Sequence, residues 1–148
     1  MKDLLPLVER LTELMENNDL SVNKLSKKIK CDNKAIARWF KCRYYPRPYV
    51  LVNLAKFFNR SIDFLLGLSD EELFVPSISF ETFHDRLRIC MKRKTYTAYR
   101  VAKICDIGQS TVSQWINFGK MPETTTLISL SECFGCSVNY LLGITDSY

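Results

Sequence analysis

The chain repeats itself at a fixed interval. Ser21-Val22-Asn23-Lys24-Leu25-Ser26-Lys27-Lys28-Ile29, then Ile36-Ala37-Arg38-Trp39, Pro46 and Leu65-Leu66-Gly67 form the first run. They return as Thr97-Ala98-Tyr99-Arg100-Val101-Ala102-Lys103-Ile104-Cys105, then Val112-Ser113-Gln114-Trp115, Pro122 and Leu141-Leu142-Gly143. Every pair is 76 positions apart, and no gap interrupts the correspondence. A period this long means two copies of one folded unit, each the size of a minimal helical domain. It divides the 148 residues into a first copy at 1–70, a linker at 71–79 and a second copy at 80–148.

Units this small have modest cores and must pack efficiently. Only five Gly and five Pro occur, which favours helices over a turn-rich sheet protein. No secretory leader is expected ahead of the six cysteines, since the N-terminus carries Asp3 and Pro6 and lacks a long apolar core. Reduced thiols in a cytoplasmic protein are the expectation. Cys133-Phe134-Gly135-Cys136 is a lone CxxC; zinc would need two more ligands, and the single His84 has no cysteine pair nearby. No metal and no cofactor are therefore expected. No apolar run approaches the ~18–20 residues that span a bilayer, so no membrane role is expected.

Helical periodicity places five segments in each copy. Leu4, Val8, Leu11 and Met15 mark one face of a helix from Asp3 to Asn17. Ser21 caps a second helix that buries Leu25 and Ile29, and Asp32 caps a third that runs to about Lys41. A fourth runs from about Tyr49 to Phe58, and a fifth from Ile62 to Leu66, stopped by Gly67. In the second copy Phe80, Phe83, Leu87, Cys90 and Met91 line the first helix. Thr97 caps the second helix, and the third spans about Gln109 to Asn117. The fourth starts at Thr125 or Thr126 and ends at Phe134, and the fifth covers Ser137 to Leu142. Leu73, Phe74, Val75 and Ile78 make the linker oily, which predicts that it packs on one or both copies. Trp39 and Trp115 stand at helical spacing behind Ile36 and Val112, as packing residues do.

Together these residues resemble the phage-repressor and Cro-like helix-turn-helix family, often called XRE-type. The pattern is Leu25-Ser26, Ile36, Trp39, Pro46 and Ser61-Ile62-Asp63-Phe64-Leu65-Leu66-Gly67, then Val101-Ala102, Val112, Trp115, Pro122 and Ser137-Val138-Asn139-Tyr140-Leu141-Leu142-Gly143. The resemblance covers roughly Leu4 to Asp70 and Phe80 to Asp146, nearly the whole chain. It implies an all-α protein of two tandem five-helix, lambda-repressor-like domains. Small Ser26 or Ala102 lets the second and third helices cross closely, and the third helix projects toward the ~12 Å wide major groove.

The same resemblance assigns base-edge contacts to Asn33, Lys34 and Arg38 in the first copy and to Gln109, Ser110 and Gln114 in the second. Arg can fork onto guanine O6/N7, and Asn or Gln onto adenine N6/N7. Nine basic residues and one acid lie between Lys24 and Arg47 in a chain whose total charge is +5, and so concentrated a charge fits a phosphate footprint. Lys24, Lys27, Lys28, Lys41, Arg43, Tyr44 and Arg47 are the phosphate candidates there; Tyr44 can instead pack on Trp39. Arg100, Lys103, Asn117 and Lys120 are their counterparts in the second copy. Arg86, Arg88, Lys92, Arg93 and Lys94 add further positive charge, and the last three also complement a helix C-terminus. One departure from the family stands out. The second helix commonly opens on Gln, which bonds a phosphate, whereas Val22 and Ala98 leave that task to backbone amides.

The function so implied is a sequence-specific regulator of transcription, a repressor type, that binds double-stranded DNA with two reading heads and is not an enzyme. A homodimer and a single chain that imitates one both fit this scheme. The alternative keeps one DNA-binding head and uses the second copy for dimerisation or protein–protein contact, with Phe118, Met121 and Cys133 as its sticky surface. Catalysis lacks a nucleophile motif, a phosphate loop or a paired-carboxylate constellation.

Overall fold

The computed structural model describes residues 4–148. Ten helices occur among them: α1 (Leu5–Asn17), α2 (Val22–Ile29), α3 (Asn33–Phe40), α4 (Pro48–Phe58), α5 (Ile62–Leu65), α6 (Phe83–Lys94), α7 (Ala98–Cys105), α8 (Gln109–Phe118), α9 (Thr124–Phe134) and α10 (Val138–Leu141). Among the described residues there is no strand, only an isolated antiparallel bridge between Pro76 and Thr145. None of the helices is long and apolar enough to cross a membrane. The chain divides into two compact units, Met1–Phe74 and Val75–Tyr148.

In the first unit α1 takes Pro6 into its first turn, where a missing N–H costs nothing. The expected start at Asp3 lies outside the described residues. The buried stripe is Leu4, Leu7, Leu11, Leu14 and Met15, with Val8 only half-buried. Ser21 caps α2 by accepting the Lys24 N–H, and Asp32 caps α3 by accepting the Lys34 N–H. Between the two helices the chain turns through Lys30, a left-handed residue at φ 55°. The turn drops half-buried Cys31 onto the core. Leu25, Ile29, Ile36 and Trp39 interlock beneath α4, each worth about 1.5–3 kcal/mol of burial. Pro48 opens α4. At Gly67 the backbone is left-handed, φ +78°, and a Cβ there would stand 2.5 Å from the Pro6 side chain. Glycine is needed at that point on both counts.

Arg10 closes this unit. Its guanidinium donates to the carbonyls of Phe64 and Ser69 (2.9 Å for Ser69), pairs with Asp70 at 3.2 Å and stacks 4.1 Å from the Phe64 ring centre. Helix α1 is thereby tied to the segment that follows α5.

The second unit begins with a bracket of backbone contacts. Ser77 N–H donates to Ile144, and the Thr145 hydroxyl donates to the Val75 carbonyl. Thr82 and Asp85 then form a reciprocal capping box that starts α6. Phe80 therefore lies outside the helix and is fully exposed, contrary to its expected place in the core. The residues that do line α6 inward are Phe83, Arg86, Leu87 and Cys90. They meet Val101, Val112, Trp115, Leu127, Leu130, Phe134 and Leu141. Of the oily linker residues, Leu73, Val75 and Ile78 are exposed and Phe74 is half-buried, and backbone contacts and Ser77 also hold the segment.

Arg86 stands where Arg10 stands in the first unit, one 76-residue period on, and is fully buried. It donates to the carbonyls of Tyr140 (3.0 Å) and Thr145 and to the Ser79 hydroxyl at 2.9 Å. It also pairs with Asp146 at 2.7 Å and Glu81 at 3.1 Å, over the Tyr140 ring. Arg86 is thus a structural tie and is withdrawn from any surface charge, which corrects its place among the surface cations of the second copy.

Candidate nucleic-acid interface

Each unit holds two short helices joined by a tight turn. Burial of one face of the later helix decides what its other face can present. In α3, Ile36 and Trp39 point inward, while Asn33, Lys34, Ala37 and Arg38 remain exposed. In α8, Val112 and Trp115 point inward, while Gln109, Ser110, Thr111 and Gln114 remain exposed. Both tryptophans are packing residues, with side chains almost wholly buried.

All the residues expected at the interface reach solvent: Asn33, Lys34, Arg38, Gln109, Ser110 and Gln114, and likewise Lys24, Lys27, Lys28, Lys41, Arg43, Tyr44, Arg47, Arg100, Lys103, Asn117 and Lys120. They are not all brought to one place. Lys34, Arg38 and Lys41 fall at i, i+4 and i+7, which puts three cations on one side of α3 and its C-cap, about 6 and 4.5 Å apart along the axis. One period later that stripe reads Ser110, Gln114 and Asn117, with no charge. Asn33 reaches back to α2, its amide 3.4 Å from the Asn23 side-chain oxygen. Arg38 lies over the Tyr44 ring at 5.9 Å, and Tyr44 is exposed, whereas its neighbour Tyr45 packs against the core.

Lys28 sits elsewhere. It lines a hollow of about 320 Å³ with Lys30, Asn53, Lys56 and Phe57, on the α2–α4 flank. In the second unit Lys103 and Gln109 share a smaller hollow of about 200 Å³ with Tyr99, Ala102, Asp106 and Ile107, between α7 and the start of α8. Lys103 and Arg100 lie over the rings of Tyr99 and Tyr96, at 5.6 and 5.8 Å.

The two later helices are held differently. The N-terminus of α3 has the Asp32 carboxylate on its Lys34 amide, whereas α8 starts from Gly108 with no side-chain cap. At its other end α8 is pinned by α6. His84 Nδ1 donates to the Trp115 carbonyl at 2.6 Å, and Arg88 donates to the Ile116 carbonyl at 2.8 Å. A bond to a carbonyl requires the proton on Nδ1. The α8 chain leaves through Gly119 at φ +70°. Neither His84 nor Arg88 was singled out by sequence reasoning as an orienting residue, and the corresponding positions, Val8 and Thr12, give no hint of it. Arg93 stacks 3.7 Å from the centre of the Tyr148 ring, which gives one of the Lys92-Arg93-Lys94 cations a structural task.

The helix-turn-helix family model matches residues 87–141. That stretch runs from α6 to α10, so the match falls on the second unit. Among solved structures the chain is similar to the P22 c2 repressor protein in complex with a synthetic operator, at 26% identity and a TM-score of 0.40, over 42% of this chain and 94% of that one. It is also similar to a transcriptional regulator from Listeria innocua, at 21% identity and a TM-score of 0.41, over 45% of this chain and 63% of that one. No curated protein matches the chain.

Proposed function

We propose that this chain is a sequence-specific, double-stranded-DNA-binding regulator of transcription with two tandem five-helix reading domains, 1–70 and 80–148, joined by 71–79. The observation that carries the proposal is the pairing of equivalent exposed positions. Asn33, Lys34 and Arg38 on α3, and Gln109, Ser110 and Gln114 on α8, face solvent opposite a buried aliphatic–Trp pair. Side chains with these donors and acceptors are what readout of base edges in the major groove uses. Lys24, Lys27, Lys41, Arg43 and Arg47 supply phosphate contacts around α3, and Arg100, Lys103 and Lys120 do so around α8. The match of the helix-turn-helix model to residues 87–141 supports the α8 head, and the 76-residue period extends the reading to α3.

The heads differ in character. The α3 stripe is cationic and the α8 stripe is neutral, so the preferred duplex site is asymmetric, with the stronger electrostatic grip on the α3 half. Selection of bound duplexes from a random pool, repeated with Arg38→Ala and Gln114→Ala, tests this. Each variant should relax base preference in one half-site only. Equal loss on selected and random DNA for both variants would remove the base-contact assignment.

A second use of the α8 unit, as a protein-contact or dimerisation module, is favoured by one observation. Phe118 and Met121 are 75% and 48% exposed beside a stripe without charge. A fold match leaves the ligand of a fold open. Native mass and footprint length separate the two readings. A monomer protecting about 15–20 base pairs has two DNA-binding heads, since half-sites lie about one helical turn apart. A dimer whose footprint survives Gln109→Ala and Gln114→Ala has one head per chain.

A further inference from the structure

Four of the six cysteines fall in the second unit, and the fold sorts them into two pairs. Cys90, in the middle of α6, has its sulfur 4.0 Å from that of Cys136, in the turn after α9. Cys105, at the end of α7, neighbours Cys133, on the last turn of α9. The CxxC motif therefore reaches a different helix from each of its two ends. No group of three or more metal-ligating side chains is gathered among the described residues, so the arrangement is two dithiols and not a four-sulfur cage.

Packing alone does not demand sulfur at these places. The equivalent positions in the first unit are Leu14, Ile29, Phe57 and Arg60, in a unit with the same order of helices. We propose that Cys90 and Cys136 form a redox-modification site, a dithiol that a peroxide or a low-molecular-weight disulfide converts reversibly into a disulfide bridging α6 and the α9 turn.

The geometry of the Cys90–Cys136 pair suits a disulfide. A disulfide has its sulfurs about 2.05 Å apart, so the two must close by roughly 2 Å, which side-chain rotation can supply. Cys136 follows Gly135, around which a Cβ would meet nothing within 4 Å, so the turn has room to move. Cys136 is partly exposed, whereas Cys90 is fully buried. Attack by the oxidant thus falls on Cys136. The Cys136 sulfur displaces hydroxide from hydrogen peroxide, its thiol proton leaves with that hydroxide as water, and Cys136 becomes a sulfenic acid. The Cys90 sulfur then attacks that sulfur, the S–O bond breaks, and water leaves with the thiol proton. Overall two thiols give up two electrons and two protons, and one peroxide becomes two waters. The Cys136 hydrogen bond, helped by the charges of Arg93 and Arg86, holds the Cys90 thiol below its ordinary value and readies it as the resolving thiol. Burial pushes Cys105 up to about 12 and Cys133 upward as well.

The test uses the full wild-type chain. After brief treatment with limiting hydrogen peroxide, or with oxidised glutathione, free thiols are blocked and the peptides are mapped without reduction. A Cys90–Cys136 link, cleared by a thiol reductant, is the expected result, with a rise in the thermal midpoint of the second unit on the order of 10 °C. Cys136→Ser should leave Cys90 a free thiol under the same treatment and remove the oxidation-dependent rise. Absence of the link in wild type when exposed Cys42 has already reacted, or a Cys105–Cys133 link in its place, overturns the proposal.

Discussion

Arg86 lies 2.7 Å from Asp146, and the pair joins the first helix of the second unit to the segment beyond its last. Arg10 and Asp70 repeat the pairing one period earlier at 3.2 Å, but with Arg10 part-exposed and Asp70 fully so. The same two residue types thus do the same task at very different depth.

Depth sets the cost of losing them. Arg86→Ala takes the guanidinium from the Tyr140 and Thr145 carbonyls, leaving Tyr140 the Gly143 N–H, and opens space under the Tyr140 ring, so it should cost about 2–4 kcal/mol. A unit of this size holds only about 4–10 kcal/mol in total. Arg10→Ala should cost about 1 kcal/mol, because its Asp70 partner is screened by water. Urea unfolding of the two variants should show this order, and a smaller effect for Arg86→Ala would mean that the buried guanidinium is not a tie.

Acid should loosen the second unit through Asp146. The Ser77 hydroxyl first, then the Ile78 N–H, Arg86 and Ser79 hold its carboxyl down at about 2. A carboxyl lowered on folding stabilises the fold at pH values above its unfolded value of about 4, and the contribution disappears as pH falls toward about 2. Asp85 shifts in the same direction, chiefly through the Thr82 backbone and side-chain hydrogen bonds. Thermal melts across that window should therefore show a steep decline. Asp146→Asn should be less stable near neutrality and decline less on acidification.

His84 and Arg88 act on α8 from α6. His84→Ala removes the donor at the Trp115 carbonyl and should cost about 1 kcal/mol of local stability. Hydrogen exchange of the amides of α8 and of the Gly119 turn should quicken while α9 stays protected. Uniform quickening throughout the second unit would instead indicate global loosening.

For the proposed DNA contacts, salt is the discriminating variable. Lys27→Ala and Lys41→Ala should each weaken binding to any duplex and flatten the plot of log affinity against log salt by about one unit. Gln114→Ala carries no charge and should leave that slope in place. A slope unmoved by either lysine would place the phosphate track elsewhere.

How far the sequence could be read followed the kind of signal each feature leaves. Helix starts left short, local signatures: Ser21, Asp32, Ser61, Thr97 and Ser137 all accept an amide hydrogen bond at the N-termini of their helices. Both tryptophans were legible because their spacing behind Ile36 and Val112 fixes which way they face. Phe80 was misread because it lies three residues before Phe83 and extends the apolar period, while the Thr82–Asp85 box starts the helix after it. Arg10 and Arg86 were invisible in a different way. An arginine on an amphipathic helix reads as surface charge, and its carbonyl partners lie 54 and 59 positions away. The recurrence of Asp70 as Asp146 at the repeat interval was the one trace of the pairing in the sequence. His84 left no trace, since its partner is a main-chain carbonyl, which no side-chain pattern records.

The bracket between residues 75–77 and 144–146 also bears on where this protein can be cut. Ser77 and Ser79 supply hydroxyls to Asp146 and Arg86, so they complete a charged centre that otherwise belongs to the helices. A fragment trimmed to begin at Phe80 would keep α6 to α10 intact yet strand Arg86 beside two lost partners. One begun just ahead of Val75 would retain them. The few residues that look like a tether are, for the second unit, its first piece of structure.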